Sequence, residues 1–174
     1  MEYSQEEILK ARLNTVRNIY DLLKTEFHDL PRGKIMIHDH KVKVVLHRNG
    51  TNSKIFQGTC DCKMSNQTLA HAHWKVKKGH WRHRWNNQIC FKKKTLLEIP
   101  FLVSATTGMP RNEDIYDSEC LVQLVAHEAG HLVINSCRHC KRFKARNRRH
   151  QEFLRRCELD GRLQKCIVQP TASN

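Results

Sequence analysis

One stretch constrains this chain more than any other: Leu121-Val-Gln-Leu-Val-Ala-His127-Glu128-Ala-Gly-His131-Leu-Val-Ile134. Its apolar positions suit an amphipathic helix buried in a core, and Asp117 or Ser118 supplies an N-cap at its start. His127 and His131 are four residues apart, so both imidazoles leave one helical face and can grip a single metal ion. Glu128 stands beside them, ready to accept a proton from an activated water. Two histidines at this spacing with an adjacent carboxylate are the layout of a zinc-dependent peptidase. The chain holds 12 histidines, enough for such a pentad to arise from composition alone. The apolar flanks and the cap set this one apart from a chance match.

At 174 residues the chain can form one domain with a proper core, read here as spanning 1–174. Its formal charge of +14 is unusual for a small hydrolase and points to a polyanionic partner, most often nucleic acid. No segment approaches the apolar length of a transmembrane helix, so no membrane partner is expected. The opening Met1-Glu-Tyr-Ser-Gln-Glu-Glu7 is acidic and polar, unlike a signal peptide. The eight cysteines then read as reduced thiols, some of them on metal. The expectation is an intracellular protein, in the cytoplasm or at the nucleoid or nucleus, and not a secreted one.

Ser4-Gln-Glu-Glu7 fits a capping box, and Leu9, Leu13, Val16, Tyr20, Leu23 and Phe27 follow at helical spacing. Pro31-Arg-Gly33 stops that helix. Strands are expected at 34–37, 41–46 and 54–57, with a hairpin turn at Arg48-Asn-Gly-Thr-Asn52 between the last two. A further strand is expected at 87–96, a loop at 100–110, the His-Glu helix at about 118–135, and a basic connection at 138–149. A last helix is expected at about 150–164. This order is that of a minimal zincin: α+β, with an N-terminal helix, a small mostly antiparallel sheet, the His-Glu-x-x-His helix and a C-terminal helix. In such folds an edge strand precedes the active helix and can pair with an extended substrate.

A catalytic zinc takes a third protein ligand and keeps the fourth position open. The long metzincin pattern needs Gly at position 134 and His at position 137, where this chain has Ile134 and Cys137. A ligand from the next helix is preferred: His150, Glu152 or Glu158, with Cys137 as the less usual thiolate option. His139 reads as a solvated histidine of the basic connection, with a weak claim as an oxyanion donor.

Arg149-His150-Gln-Glu-Phe153, following His127-Glu-Ala-Gly-His131, resembles the SprT-like (Spartan-type) zinc metallopeptidases. There a third histidine follows on the next helix, shortly before an aromatic residue; Phe153 lies one residue closer to His150 than that pattern has it. The resemblance implies Zn2+ held by His127, His131 and His150, with Glu128 as the base. It also implies a protein substrate on or near DNA.

Weaker constellations remain. Cys60-Asp-Cys62 and Cys137-Arg-His-Cys140 can together form a second, four-thiolate zinc site, or stand as reduced thiols. Cys90, Cys120, Cys157 and Cys166 fall at apolar positions and read as packing residues. His71, His73, His80 and His83 can hold a second metal, but a basic aromatic nucleic-acid surface is the preferred reading of 60–94, with at least one tryptophan in the core. There Trp81 would stack on unpaired bases while Lys77, Arg82 and Arg84 meet phosphates. Arg146, Arg148 and Arg149 would add phosphate contacts. The expected nucleic acid is single-stranded or distorted DNA. The leading function is a zinc peptidase acting on nucleic-acid-associated proteins; the alternative is a zinc-containing nucleic-acid-binding module that cuts no peptide.

Overall fold

The computed structural model describes residues 3–102, 120–136 and 138–171. Helix α1 (Gln5–Glu26) starts where its sequence says it should. Ser4 accepts from the Glu7 amide and the Glu7 carboxylate accepts from the Ser4 amide, a closed capping box. Its inward face carries Leu9, Val16, Ile19, Tyr20 and Leu23. Strand β1 (Lys34–Ile37) follows, then the hairpin β2 (His40–Leu46) and β3 (Asn52–Gly58), and the short strands β4 (Ala70–His73) and β5 (Gln88–Phe91). Helices α2 (Lys93–Glu98), α3 (Leu121–Ile134) and α4 (Lys141–Leu159) complete the set. Among the described residues the chain is therefore α+β, with four α-helices and small, mostly antiparallel sheets. No described helix is long and apolar enough to cross a membrane.

Three expectations are corrected. The strand expected at 87–96 ends at Phe91, and α2 begins two residues later. Thr95 and Leu96 are consecutive and both buried, which a helix turn permits and an alternating strand does not. The basic connection at 138–149 is mostly helix. Phe143, Asn147, His150, Leu154 and Cys157 are buried at helical spacing, so one inward stripe runs through the arginine-rich segment. The strand before α3 (Leu121–Ile134) is not an edge: β5 lies between β1 and β4, and those two form the edges. β4 itself was not anticipated from the sequence. The proposed caps Asp117 and Ser118 lie outside the described residues; Cys120 occupies the N-cap position of α3.

β1 runs parallel to β5, with Met36 opposite Cys90; β4 runs antiparallel to β5, with His71 opposite Cys90. Alternation then gives the sheet two unlike faces. Ile35, Ala70, Ile89 and Phe91 point into the main core with α1 and α3, among them Val16, Leu121 and Val125. Met36, His71, His73, Gln88 and Cys90 point the other way, toward the segment that follows the hairpin.

Candidate metal centre

α3 is buried along nearly its whole length, against α1, β4 and α4. It ends at Asn135, whose left-handed backbone (φ 53, ψ 40) terminates the helix while its amide donates to the His131 carbonyl. Asn135 takes this conformation at low cost because its short amide side chain tolerates it. The turn brings the Ser136 carbonyl to 2.6 Å from His131 Nδ1. A carbonyl only accepts, so Nδ1 carries the proton and Nε2 keeps its lone pair.

The chain then doubles back, and His139, just before α4, meets the His-Glu helix. His127 Nε2 lies 3.1 Å from His131 Nε2 and 3.2 Å from His139 Nε2. Three imidazoles bound tetrahedrally at the usual zinc–nitrogen length would stand about 3.3 Å apart. The three are grouped closely enough to share one ion. Phe143, one turn into α4, forms the wall behind them. Its ring stacks on His131 at 4.2 Å and meets His127 and His139 edge-on or tilted at 5.0 and 4.8 Å. That approach depends on Gly130, where a Cβ would come within 3.0 Å of the Phe143 ring.

Burial sets the protonation of the group. It pulls His131 down to about 4 and also lowers His139, so both are neutral near pH 7 and their lone pairs are available to a metal. Burial pushes Glu128 up to about 8, since an ionised carboxylate in that setting is poorly solvated. Glu128 Oε2 is buried and has no hydrogen-bond partner among the described residues.

His150 does not join this group. It is fully buried on the third turn of α4, and both ring nitrogens are engaged: Nδ1 donates to the Ala126 carbonyl at 3.1 Å, and Nε2 accepts from Arg146 Nε at 2.8 Å. It ties α4 to the backbone of α3 one residue before His127. Neither Glu152 nor Glu158 belongs to the group, and Cys137 lies outside the described residues. Because α4 begins nine residues before His150, the next histidine to meet α3 after the turn is His139. A signal for this was present: Phe143 follows His139 by four residues, one helical turn.

The cysteines sort differently from the expected four-thiolate set. Cys60 groups with His71, His73 and Cys90; Cys62 faces Asp61; Cys140 is exposed at the start of α4. His80 and His83 are not part of that group. The basic residues also divide. Arg146 is turned inward, bonded to His150 and Asp29 and set over the Phe27 ring. Arg82 pairs with buried Asp61 at 2.8 Å, and Arg84 donates to the Phe56 carbonyl and covers Trp85. Trp85 is the tryptophan of the core, whereas Trp81 is exposed and stacked on Phe56. Lys77, Arg148 and Arg149 are exposed.

Compared with family models, with curated proteins and with solved structures, the chain matches none.

Proposed function

We propose that this protein is a zinc-dependent endopeptidase of SprT-like, zincin type, acting on proteins bound to single-stranded or distorted DNA. The observation that carries the reading is the convergence of His127, His131 and His139, with the buried Glu128 next to His127 in sequence. Three protein donors meet there among the described residues, the number of protein ligands that a catalytic zinc takes. The family resemblance moves with the third histidine: His139 precedes the aromatic Phe143 at the head of the next helix, as His150 was expected to precede Phe153. A zinc ion held by the three imidazoles supplies Lewis acidity toward a water and a substrate carbonyl.

The chain's own residues supply the rest. The Ser136 carbonyl holds His131 in the tautomer that offers Nε2, and Phe143 fixes the tilt of all three rings. Glu128, next to His127 in sequence, would accept the proton of the attacking water and return it to the leaving amine. The net charge of +14 and the exposed Trp81, Lys77, Arg148 and Arg149 support a nucleic acid that brings enzyme and protein substrate together.

Glu128→Gln tests the mechanism. Cleavage of a DNA-bound protein should fall roughly 100-fold or more, while zinc content and circular dichroism stay at wild-type values. His139→Ala should lower zinc affinity by more than the 10–100-fold typical of outer partners, and abolish cleavage. Wild-type cleavage in Glu128→Gln, or full zinc retention in His139→Ala, would sink the reading.

A further inference from the structure

The face of the sheet turned away from α1 and α3 carries a second group of donors. His71 and His73 are two residues apart on β4, so both side chains leave the same face. Cys90 on β5 stands directly opposite His71 in the antiparallel ladder and shares that face. Cys60 reaches the group from the loop after β3. The four ligand atoms lie within 4.8 Å of one another, and His71 Nε2 is 2.8 Å from His73 Nε2. Cys60 and Cys90 are fully buried and His73 is nearly so.

We propose that Cys60, His71, His73 and Cys90 form a closed structural zinc site that fastens the hairpin and the segment after it, 38–69, to the back of the sheet. Two thiolates and two imidazoles, all from protein and all on one side of a buried pocket, match the donor set of closed tetrahedral zinc sites.

The surroundings are those of outer partners to such a site. Asp61, its side chain 1% exposed, lies 3.9 Å from His73 Nδ1 and is held in turn by Arg82. Asp61 thus lies next to a proposed ligand ring, as the outer carboxylates of metal sites do, without a hydrogen bond to it. Gln88 Nε2 donates to Cys90 Sγ at 3.0 Å, and His38 Nδ1 lies 3.1 Å from Cys60 Sγ. Donors aimed at sulfur stabilise thiolates.

The need for a fastener is visible in the packing. On this face the buried apolar cluster consists of Cys60, Trp85 and Cys90, with Met36, Phe56, Cys62 and Met64 half-buried around it. The hairpin β2–β3 shares no ladder with the β1–β5–β4 sheet. Val44, Leu46 and Ile55 stay exposed on it. So small a core does not hold such a layer by burial alone, and a metal is the usual substitute.

Metal counting on the full-length protein, purified under reducing conditions, tests the site. The wild type should hold two zinc ions per chain and the His127→Ala/His131→Ala variant one. Exchanged with cobalt(II), that variant should still show a thiolate-to-cobalt charge-transfer band, which a site of three imidazoles cannot give. Cys60→Ser/Cys90→Ser should hold one ion and lose the band. If this cysteine variant does not fold, the histidine variant alone decides the matter. No metal in the histidine variant, cobalt without the charge-transfer band, or a Cys60–Cys90 disulfide in the intact mass would overturn the proposal. One ion per wild-type chain, with the band unchanged in the histidine variant, would instead support this site and remove the peptidase centre.

Discussion

The two faces of the β1–β5–β4 sheet rest on different physics. On one side α1, α3 and α4 bury a continuous core that includes Val16, Ile19, Leu23, Ile89, Phe91, Leu121 and Phe153. On the other, the hairpin and the segment 59–87 enclose two cysteines and one tryptophan. The contrast changes what a metal would mean. On the helical side burial already holds the backbone, so in the function proposed above His127, His131 and His139 are left for chemistry rather than for holding the fold. On the outer side the same residue types stand where apolar side chains would otherwise be. On both proposals one chain uses histidine clusters as a tool and as a fastener, and the size of the adjoining core tells them apart.

Removing metal should split the two faces, and this is the largest effect expected. Structural zinc contributes roughly 10 kcal/mol or more to the folding of small zinc modules. After chelation, amides of β2, β3, β4 and 59–87 should lose nearly all hydrogen-exchange protection, while those of α1 and α4 keep most of theirs. Equal loss on both faces would break the comparison.

His150 should show that the helical side depends on a neutral buried histidine. Burial lowers its pKa from 6.5 to about 4 in the folded protein. The fold therefore favours the neutral form. This contribution is complete above the unfolded value of 6.5 and is lost as pH falls toward 4. It amounts to about 3 kcal/mol. Urea unfolding with the helical signal as readout should give a wild-type stability that drops between about pH 6.5 and about pH 4. His150→Gln should be less stable at the higher pH and fall less steeply. Identical slopes would mean that His150 is not the titrating group.

Gly130→Ala sharpens the comparison from within the helical layer. The added Cβ meets the buried Phe143 ring at 3.0 Å. Overpacking of this kind costs about 1–3 kcal/mol, partly offset by the better helix propensity of alanine, about 1 kcal/mol. Thermal unfolding should fall by a few degrees and cleavage should weaken as the three rings tilt, with the cobalt charge-transfer band unchanged. A change in that band would couple the two faces.

Trp81→Ala should matter least to the fold. Trp81 is 51% exposed, and stability should stay within about 0.5 kcal/mol of wild type. Single-strand binding measured by anisotropy should nevertheless weaken by roughly 1–3 kcal/mol, the usual worth of one stacked base. Unchanged binding would remove Trp81 from the nucleic-acid surface.

Several features were legible in the linear chain because their causes are local. The capping box at Ser4 and Glu7, the apolar spacing of α1, β1 at 34–37 and the hairpin turn near Asn49-Gly50 each depend on residues close in sequence. His127, Glu128 and His131 sit on one helix, so their spacing alone brings the two imidazoles together. The span of α4 was hidden because arginine density at 138–149 masked the buried stripe of Phe143 and Asn147. β4 was hidden because Ala70-His-Ala-His73 has little strand character apart from its partner β5.

What the sequence determined by itself, then, is the set of elements whose hydrogen bonds and apolar periodicity close within a turn or a hairpin, together with the pair of histidines on α3. The third histidine and the second donor group were decided only in three dimensions. His139 joins because an αL turn at Asn135 and an early start of α4 fold the chain back over α3. His150, the better match on paper, is instead consumed by the Ala126 carbonyl and Arg146. Cys60, His71, His73 and Cys90 are spread over three segments and meet through the register of β4 on β5. Strand register is a cooperative property of the whole sheet and its two unlike faces, and no local pattern encodes it.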